Sequence, residues 1–230
     1  MWAVRRAFLV LAVIVVTLLA LPYLIVPFYR FVDPVSTPML WRWATGGRVE
    51  RTFVPIGRLA PTLPLTVILA EDASFCRNHG IDLSGVREAL QQADEDIAEA
   101  RGGSTITQQT AKNLFLWQGR SFVRKALEIP LAIWINLMLP KRRILEIYLN
   151  IVEWGPRDQF GAEAAAHWAF GKSAHDLTAR ESAELAAILP NPFRRSARTP
   201  SALVRRLAGV YENRAASYPV QDACIRREAP

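Results

Sequence analysis

From Ala7 to Phe28 the chain reads AFLVLAVIVVTLLALPYLIVPF, without one charged side chain. A helix of that length crosses a hydrocarbon core of roughly 30 Å. Arg5 and Arg6 stand immediately before it. By the positive-inside bias they hold the short N-terminus in the cytoplasm, and everything after Tyr29 falls on the other face. A cleaved signal peptide is the alternative, but its apolar region runs roughly 7–15 residues and ends at small residues. Pro22, Tyr23 and Pro27 make a poor cleavage site. An uncleaved single-pass anchor is the expectation.

The remaining chain has room for one domain. We divide the sequence into an N-terminus and anchor over 1–29, an extended connector over 30–64, a helical domain over 65–215 and a tail over 216–230. The connector carries Pro34, Pro38, Pro55, Pro61 and Pro64, with Gly46 and Gly47, a composition that punctuates rather than propagates helices. Trp41 and Trp43 suit either a headgroup layer or packing on the domain. After Pro64 apolar residues recur at helical spacing almost to the end. Stretches are expected at 65–75, from an Asp82 cap to about 97, at 105–113, 121–139, 141–152, 162–170, 179–189 and 203–211. The apolar run Ile129–Leu139, bracketed by Pro130 and Pro140, is too short to span a bilayer and reads by default as a core helix; with Leu114, Phe115, Leu116 and Trp117 nearby, dipping of part of this region into the membrane surface is the alternative.

A formal net charge of +7 implies anionic partners: a phosphate-bearing substrate, an anionic membrane or nucleic acid. The basic residues are scattered, with no stacking stripe of aromatics, which argues against nucleic acid. Cys76 and Cys224 can pair on an oxidising face or remain thiols; both readings stand. The 3 histidines lack close Cys or His companions, against a structural zinc site.

Four clusters carry chemistry. Glu71 and Asp72 follow the apolar run Leu65–Ala70, where burial and like charge raise a carboxyl pKa toward that of a general base; alone, the pair reads as an ordinary polar helix end. Gly102–Gly103–Ser104–Thr105 then opens a helix with Gln108, Gln109, Lys112 and Asn113, its first turn having the form of a capping box. Free N–H groups, an amide and a cation on one face suit a phosphate or a sugar hydroxyl. The spacing of a nucleotide P-loop is missing. Arg120, Arg124 and Lys125 with Glu128 suit a diphosphate, although Arg124 and Glu128 alone read as a surface ion pair. In the run from Lys141 to Asn150, Ile144, Leu145, Tyr148 and Leu149 form an apolar face, and Glu146 and Asn150 share a side that supports the site from behind.

The order ED-x-x-F…G, GGSTITQQ-x-x-KN, RK-x-x-E and K-x-x-ILE-x-YLN resembles the family 51 glycosyltransferases, the peptidoglycan glycosyltransferases. Glu181, Glu184 and LAAILPNP resemble that family's fifth stretch, and the likeness covers roughly residues 33–195. It implies a mainly α, lysozyme-like domain with a smaller membrane-facing lobe behind one transmembrane helix. It implies an inner-membrane enzyme, with its catalytic domain on the periplasmic side, that polymerises lipid II into β-1,4-linked glycan with inversion and release of undecaprenyl diphosphate. Glu71 resembles the catalytic base. Lys112, Arg120, Arg124 and Lys125 resemble the groups that stabilise the leaving diphosphate. Asp72, Ser104, Gln108, Gln109 and Asn113 resemble substrate-binding positions. Glu128 resembles the family's second catalytic glutamate, its role open between organising cations and positioning the donor. A divalent cation (Mg or Mn) at the diphosphate is implied for some members, and no residue is assigned as its ligand. Implied partners are lipid II, the growing glycan and the membrane; which cell-wall synthesis or division proteins join them is left open. Asn78 stands where the family usually has His. No serine lies in an S-x-x-K arrangement, so a monofunctional member without transpeptidase activity is expected.

Two other functions compete. A lytic glycosidase needs an acid and usually a second carboxylate acting on water or neighbouring chemistry, and has no use for clustered cations around a diphosphate. A non-catalytic membrane scaffold would keep the groove and tolerate loss of Glu71.

Overall fold

The computed structural model describes residues 2–82, 103–119, 121–156, 158–217 and 224–226. Among these the chain is mostly helical and has no β-strand, only isolated bridges pairing Glu50 with Gln159 and Glu153 with Phe160. The helix expected from Asp82 to about 97 and the turn at Gly102 lie outside the described residues.

Helix α1, Trp2–Ile25, continues through a 3-10 turn at Val26–Arg30. At 1.5 Å per residue it is about 36 Å long. Its side chains are exposed on every face, and the stretch Val4–Arg30 is long and apolar enough to cross a membrane. A helix this apolar, exposed along most of its length, suits a hydrocarbon surrounding. Its end is fixed to the domain by a backbone defect. Pro27 has no N–H to offer the Tyr23 carbonyl one turn back, and Trp134 Nε1 donates to that oxygen instead, at 3.0 Å. The Tyr29 ring then stacks on Phe115 with centroids 6.0 Å apart.

Segment 30–64 is not simply extended. It contains α2, Thr37–Ala44, capped by Ser36, whose side chain accepts from Met39 N, with proline in the first turn. A hydroxyl cap followed by proline is a helix start, because the first-turn N–H groups lack intrahelical partners anyway. Residues 51–55 have no regular structure, and a 3-10 turn follows at Ile56–Arg58; the segment is pinned along the helix Lys141–Ile151 (α6): Asn150 Oδ1 accepts from Val54 N at 2.8 Å, and Glu146 Oε2 accepts from Ile56 N at 2.7 Å. Glu146 and Asn150 therefore secure this segment to the core.

The core is built from α3 (Thr62–Glu71), α4 (Ile106–Phe115), α5 (Phe122–Met138), α6 (Lys141–Ile151), α7 (Ala162–Phe170), α8 (Ala179–Ile188) and α9 (Ala202–Ser217). Helix α4 packs on α5 and α6, and α3 packs on α8 and α9. Helix α6 lies deepest, with Ile144, Leu145, Ile147, Tyr148, Leu149 and Ile151 all buried. Helix α5 runs through Pro130 as one element. Only one face of its apolar run is core: Leu131, Ala132 and Ile135 are buried, whereas Ile133 and Leu137 are exposed.

Cys76 and Cys224 form a disulfide with Cα atoms 5.4 Å apart across a sequence separation of 148. Arg142 Nη1 donates to the Ile225 carbonyl at 2.7 Å beside it. Closing so long a loop restricts the unfolded chain, and loss of such a bond typically costs about 2–5 kcal/mol. Cys224→Ser, or reduction of the native protein, is expected to lower the thermal midpoint by roughly 5–15 °C at this size; equal midpoints with and without reductant would remove the bond from the stability account.

Candidate active site

Helix α3 ends at Glu71 because the next residue, Asp72, leaves helical geometry at φ −159°. The apolar residues before it are buried, so the turn delivers two adjacent carboxylates into the protein. Gln109 on α4 meets the first of them, its Nε2 donating to Glu71 Oε2 at 2.7 Å. The same amide accepts from the buried Tyr148 hydroxyl at 3.0 Å. Tyr148 thereby fixes which way the Gln109 amide points. Glu71 Oε1 is buried and receives no hydrogen bond among the described residues. Burial pushes the Glu71 pKa up; the Gln109 hydrogen bond, Arg195 and Lys112 pull it back, and Asp72 adds to the rise. An oxygen free to take a proton on a carboxyl group of raised pKa is what a general base requires.

Asp72 is fully engaged. Its oxygens accept from Ile106 N, Ser74 Oγ and Asn78 Nδ2, each at 3.0 Å. Ile106 is the first residue of α4, so a carboxylate sits at the positive end of that helix. Burial raises the Asp72 pKa, against these hydrogen bonds and the nearby Lys141. Asn78 Oδ1 in turn accepts from Lys141 Nζ at 2.9 Å. Gly80 closes the loop at φ +93°, where a Cβ would lie 2.5 Å from the Ala132 carbonyl oxygen; only glycine fits there.

Thr105 and Gln108 form the expected capping box. Gln108 is therefore committed to the helix start, its Oε1 accepting from Thr105 N at 2.9 Å. Asn113 is buried as well, its Nδ2 donating to the Gln109 carbonyl at 2.9 Å. Neither side chain joins the group around Glu71.

The cations gather around Glu128. That carboxylate is only 3% exposed, paired through Oε1 with Arg124 and through Oε2 with Lys125 at 3.0 Å. This is no surface pair. Lys125 Nζ also donates to Ser104 Oγ at 2.8 Å. Burial, then Arg124 and Lys112, lower the Lys125 pKa to about 8. Lys112 is lowered by burial and by Arg124, with Glu71 opposing. Three mutually repelling cations lie together, and only two of them, Arg124 and Lys125, pair with the buried Glu128, an arrangement that an anionic ligand relieves. Arg120 lies outside the described residues. No group of three or more His, Cys, Asp or Glu side chains that could hold a metal occurs among the described residues. Both Glu128 oxygens are held by cations, so this carboxylate has no oxygen to spare for a divalent cation.

Tyr148, Arg195 and Lys141 are the residues that pattern reading missed. Tyr148 had been read as part of an apolar helix face, and Arg195 sits in a loop with no period to mark it. An apolar cleft of about 690 Å³, lined by Trp41, Phe115, Trp117 and Phe193, opens at the far end of α4, and none of the candidate residues lines it.

The transglycosylase family model matches residues 40–214, a span that holds every candidate from Glu71 to Glu128. This chain belongs to the transglycosylase family. It is 59% identical over 211 residues to the biosynthetic peptidoglycan transglycosylase of Nitrobacter hamburgensis, covering 92% of this chain and 93% of that one. The protein of that name from Rhodopseudomonas palustris (strain HaA2) is 55% identical over 225 residues, covering 98% and 99%. A third, from Rhizobium meliloti, is 47% identical over 216 residues, covering 93% and 90%.

In this transglycosylase the raised pKa of Glu71 has a stability consequence. A carboxylate held ionised against its surroundings destabilises the fold above its folded pKa, and the cost vanishes once pH falls below the ordinary carboxylate range. Glu71→Gln is therefore expected to raise the thermal midpoint at pH 8, with a gain that fades as pH falls. A midpoint lowered at pH 8 would contradict the burial described here.

Proposed function

We propose that this transglycosylase polymerises lipid II into β-1,4-linked glycan on the periplasmic face of the inner membrane, without transpeptidation. Peptidoglycan as the polymer follows the names of its relatives. The observation that carries the reaction is on α4: Gln109 holds the base Glu71, and one turn on Lys112 faces the cation cluster.

Glu71 Oε1 takes the proton from the 4-hydroxyl of the acceptor's N-acetylglucosamine. The freed oxygen pair forms the new bond to C1 of the donor N-acetylmuramic acid from the face opposite the diphosphate. The C1–O bond to phosphate breaks, and undecaprenyl diphosphate leaves with the electron pair, so C1 inverts. Lys112, Arg124 and Lys125 stabilise the charge that develops on the leaving group, with Arg120 assigned beside them by resemblance. Ser104 holds Lys125 in place. Glu128 acts through its two cations, since neither of its oxygens is free to take a proton. Asp72 is equally occupied, which leaves no second free carboxylate in this group and disfavours the lytic reading.

Two features favour the outward orientation: Arg5 and Arg6 before α1, and the Cys76–Cys224 disulfide, a bond that persists in oxidising compartments.

With lipid II and the full chain in detergent, Glu71→Gln should reduce polymerisation by at least about 100-fold, the usual scale of general-base catalysis, while binding of lipid II stays within about threefold because the substitution is isosteric. Undiminished product would falsify the role of Glu71. Binding of undecaprenyl diphosphate should also weaken as pH rises through about 8, where Lys125 loses its proton. Lys125→Arg keeps the charge and should flatten that profile; an unchanged profile would take Lys125 out of the diphosphate site.

A further inference from the structure

We infer that Lys141, at the start of α6, is a positioning residue for glycosyl transfer, setting the Glu71–Asp72 turn through Asn78. The inference rests on the reading of Glu71 as base. Lys141 Nζ donates to Asn78 Oδ1 at 2.9 Å, and Asn78 Nδ2 donates to both Asp72 oxygens at 3.0 Å. Asp72 Oδ2 accepts from Ile106 N, so the relay ends on the first residue of the helix that carries Gln109 and Lys112. Lys141 thus reaches both walls of the site from a third helix without touching Glu71.

Its placement runs against local preference. A cation at a helix N-terminus opposes the macrodipole, and the first turn of α6 has no acidic residue to offset it. The ammonium is also partly buried, 4.6 Å from the Phe75 ring centroid. Asp72 is the acidic group that acts on it. A residue that violates a local rule is held there by something nonlocal, and the relay to Asp72 is that constraint. Asn78 suits the middle position because its amide donates on one side and accepts on the other. Asp72, held by an ammonium-backed amide and a helix start, keeps Glu71 at the end of α3 in one orientation.

The test measures kcat and KM of the full chain on lipid II, with thermal midpoints recorded for every variant. Lys141→Gln should lower kcat by about 10–100-fold, the scale of a misplaced reacting group, with KM within about threefold because the diphosphate cations are untouched. Lys141→Arg should recover kcat to within about threefold of wild type, since it restores a charged donor to Asn78. Asn78→Ala should match Lys141→Gln, and the double variant should be no worse than the worse single. Where Lys141→Gln melts below the assay temperature, Asn78→Ala cuts the same relay without altering α6. Wild-type kcat in Asn78→Ala, equal damage from Arg and Gln at position 141, or multiplying losses would each overturn the inference. A Glu71→Gln protein that still polymerises would instead defeat the proposed function. A dead Glu71→Gln beside fully active position-141 variants would sink this inference alone.

Discussion

The carboxylate of Asp72 is the constraint on which the site depends. It sits on the residue where α3 ends, accepts from Ile106 N in the first turn of α4, and holds the loop after α3 through Ser74 and Asn78. Remove it, and the two helices that present Glu71 and Gln109 lose their common reference. The cost is a second buried acid beside the first, a like charge that raises the pKa of Glu71. For a structural carboxylate that coupling is a defect. For a proton acceptor working near neutral pH it is an advantage.

A similar conflict governs the other half of the site. Lys112, Arg124 and Lys125 repel one another, the buried Glu128 pairs with only the last two, and burial disfavours the charge on each. Packing alone would not select this arrangement, because a charge buried with too few partners is costly. It is the arrangement expected where a doubly charged group must be met by fixed donors rather than by water. Glu128, buried between Arg124 and Lys125, offsets the repulsion between them.

What could be read from sequence was what lies close in sequence. The Thr105–Gln108 capping box, the cation spacing Arg124–Lys125–Glu128 and the bounds of α7 between two glycines are local rules, and the structure follows them. Helix α2 is hidden in the composition, because its prolines resemble helix breakers and only the Ser36 hydroxyl followed by Pro38 marks a capped start. The contacts that turn Glu71 from a helix end into a candidate base are long-range. Gln109 is 38 positions away, Tyr148 is 39 beyond that, and Lys141 is 63 from Asn78. No period or spacing encodes such pairs. The disulfide belongs with them, two cysteines 148 positions apart whose pairing only the fold decides.

The first turn of α6 draws these distant pieces together. Lys141, Arg142 and Arg143 crowd three cations onto a helix end that electrostatics disfavours, and each is held by a different part of the chain. Lys141 binds the loop behind Glu71, and Arg142 donates to the carbonyl of Ile225, next to the disulfide. Arg143 donates to the carbonyls of Tyr29 and Val32, where the chain leaves α1. A lone cation there would be a fault in the helix. Three in a row, each spent on an oxygen from a segment remote in sequence, make α6 the element that registers the membrane exit, the C-terminal tail and the catalytic turn against one buried helix. The position of Glu71 relative to the apolar helix α1 is thereby set through the core of the protein, so that on the proposed reading the height at which a lipid-linked substrate would meet Glu71 is a matter of packing.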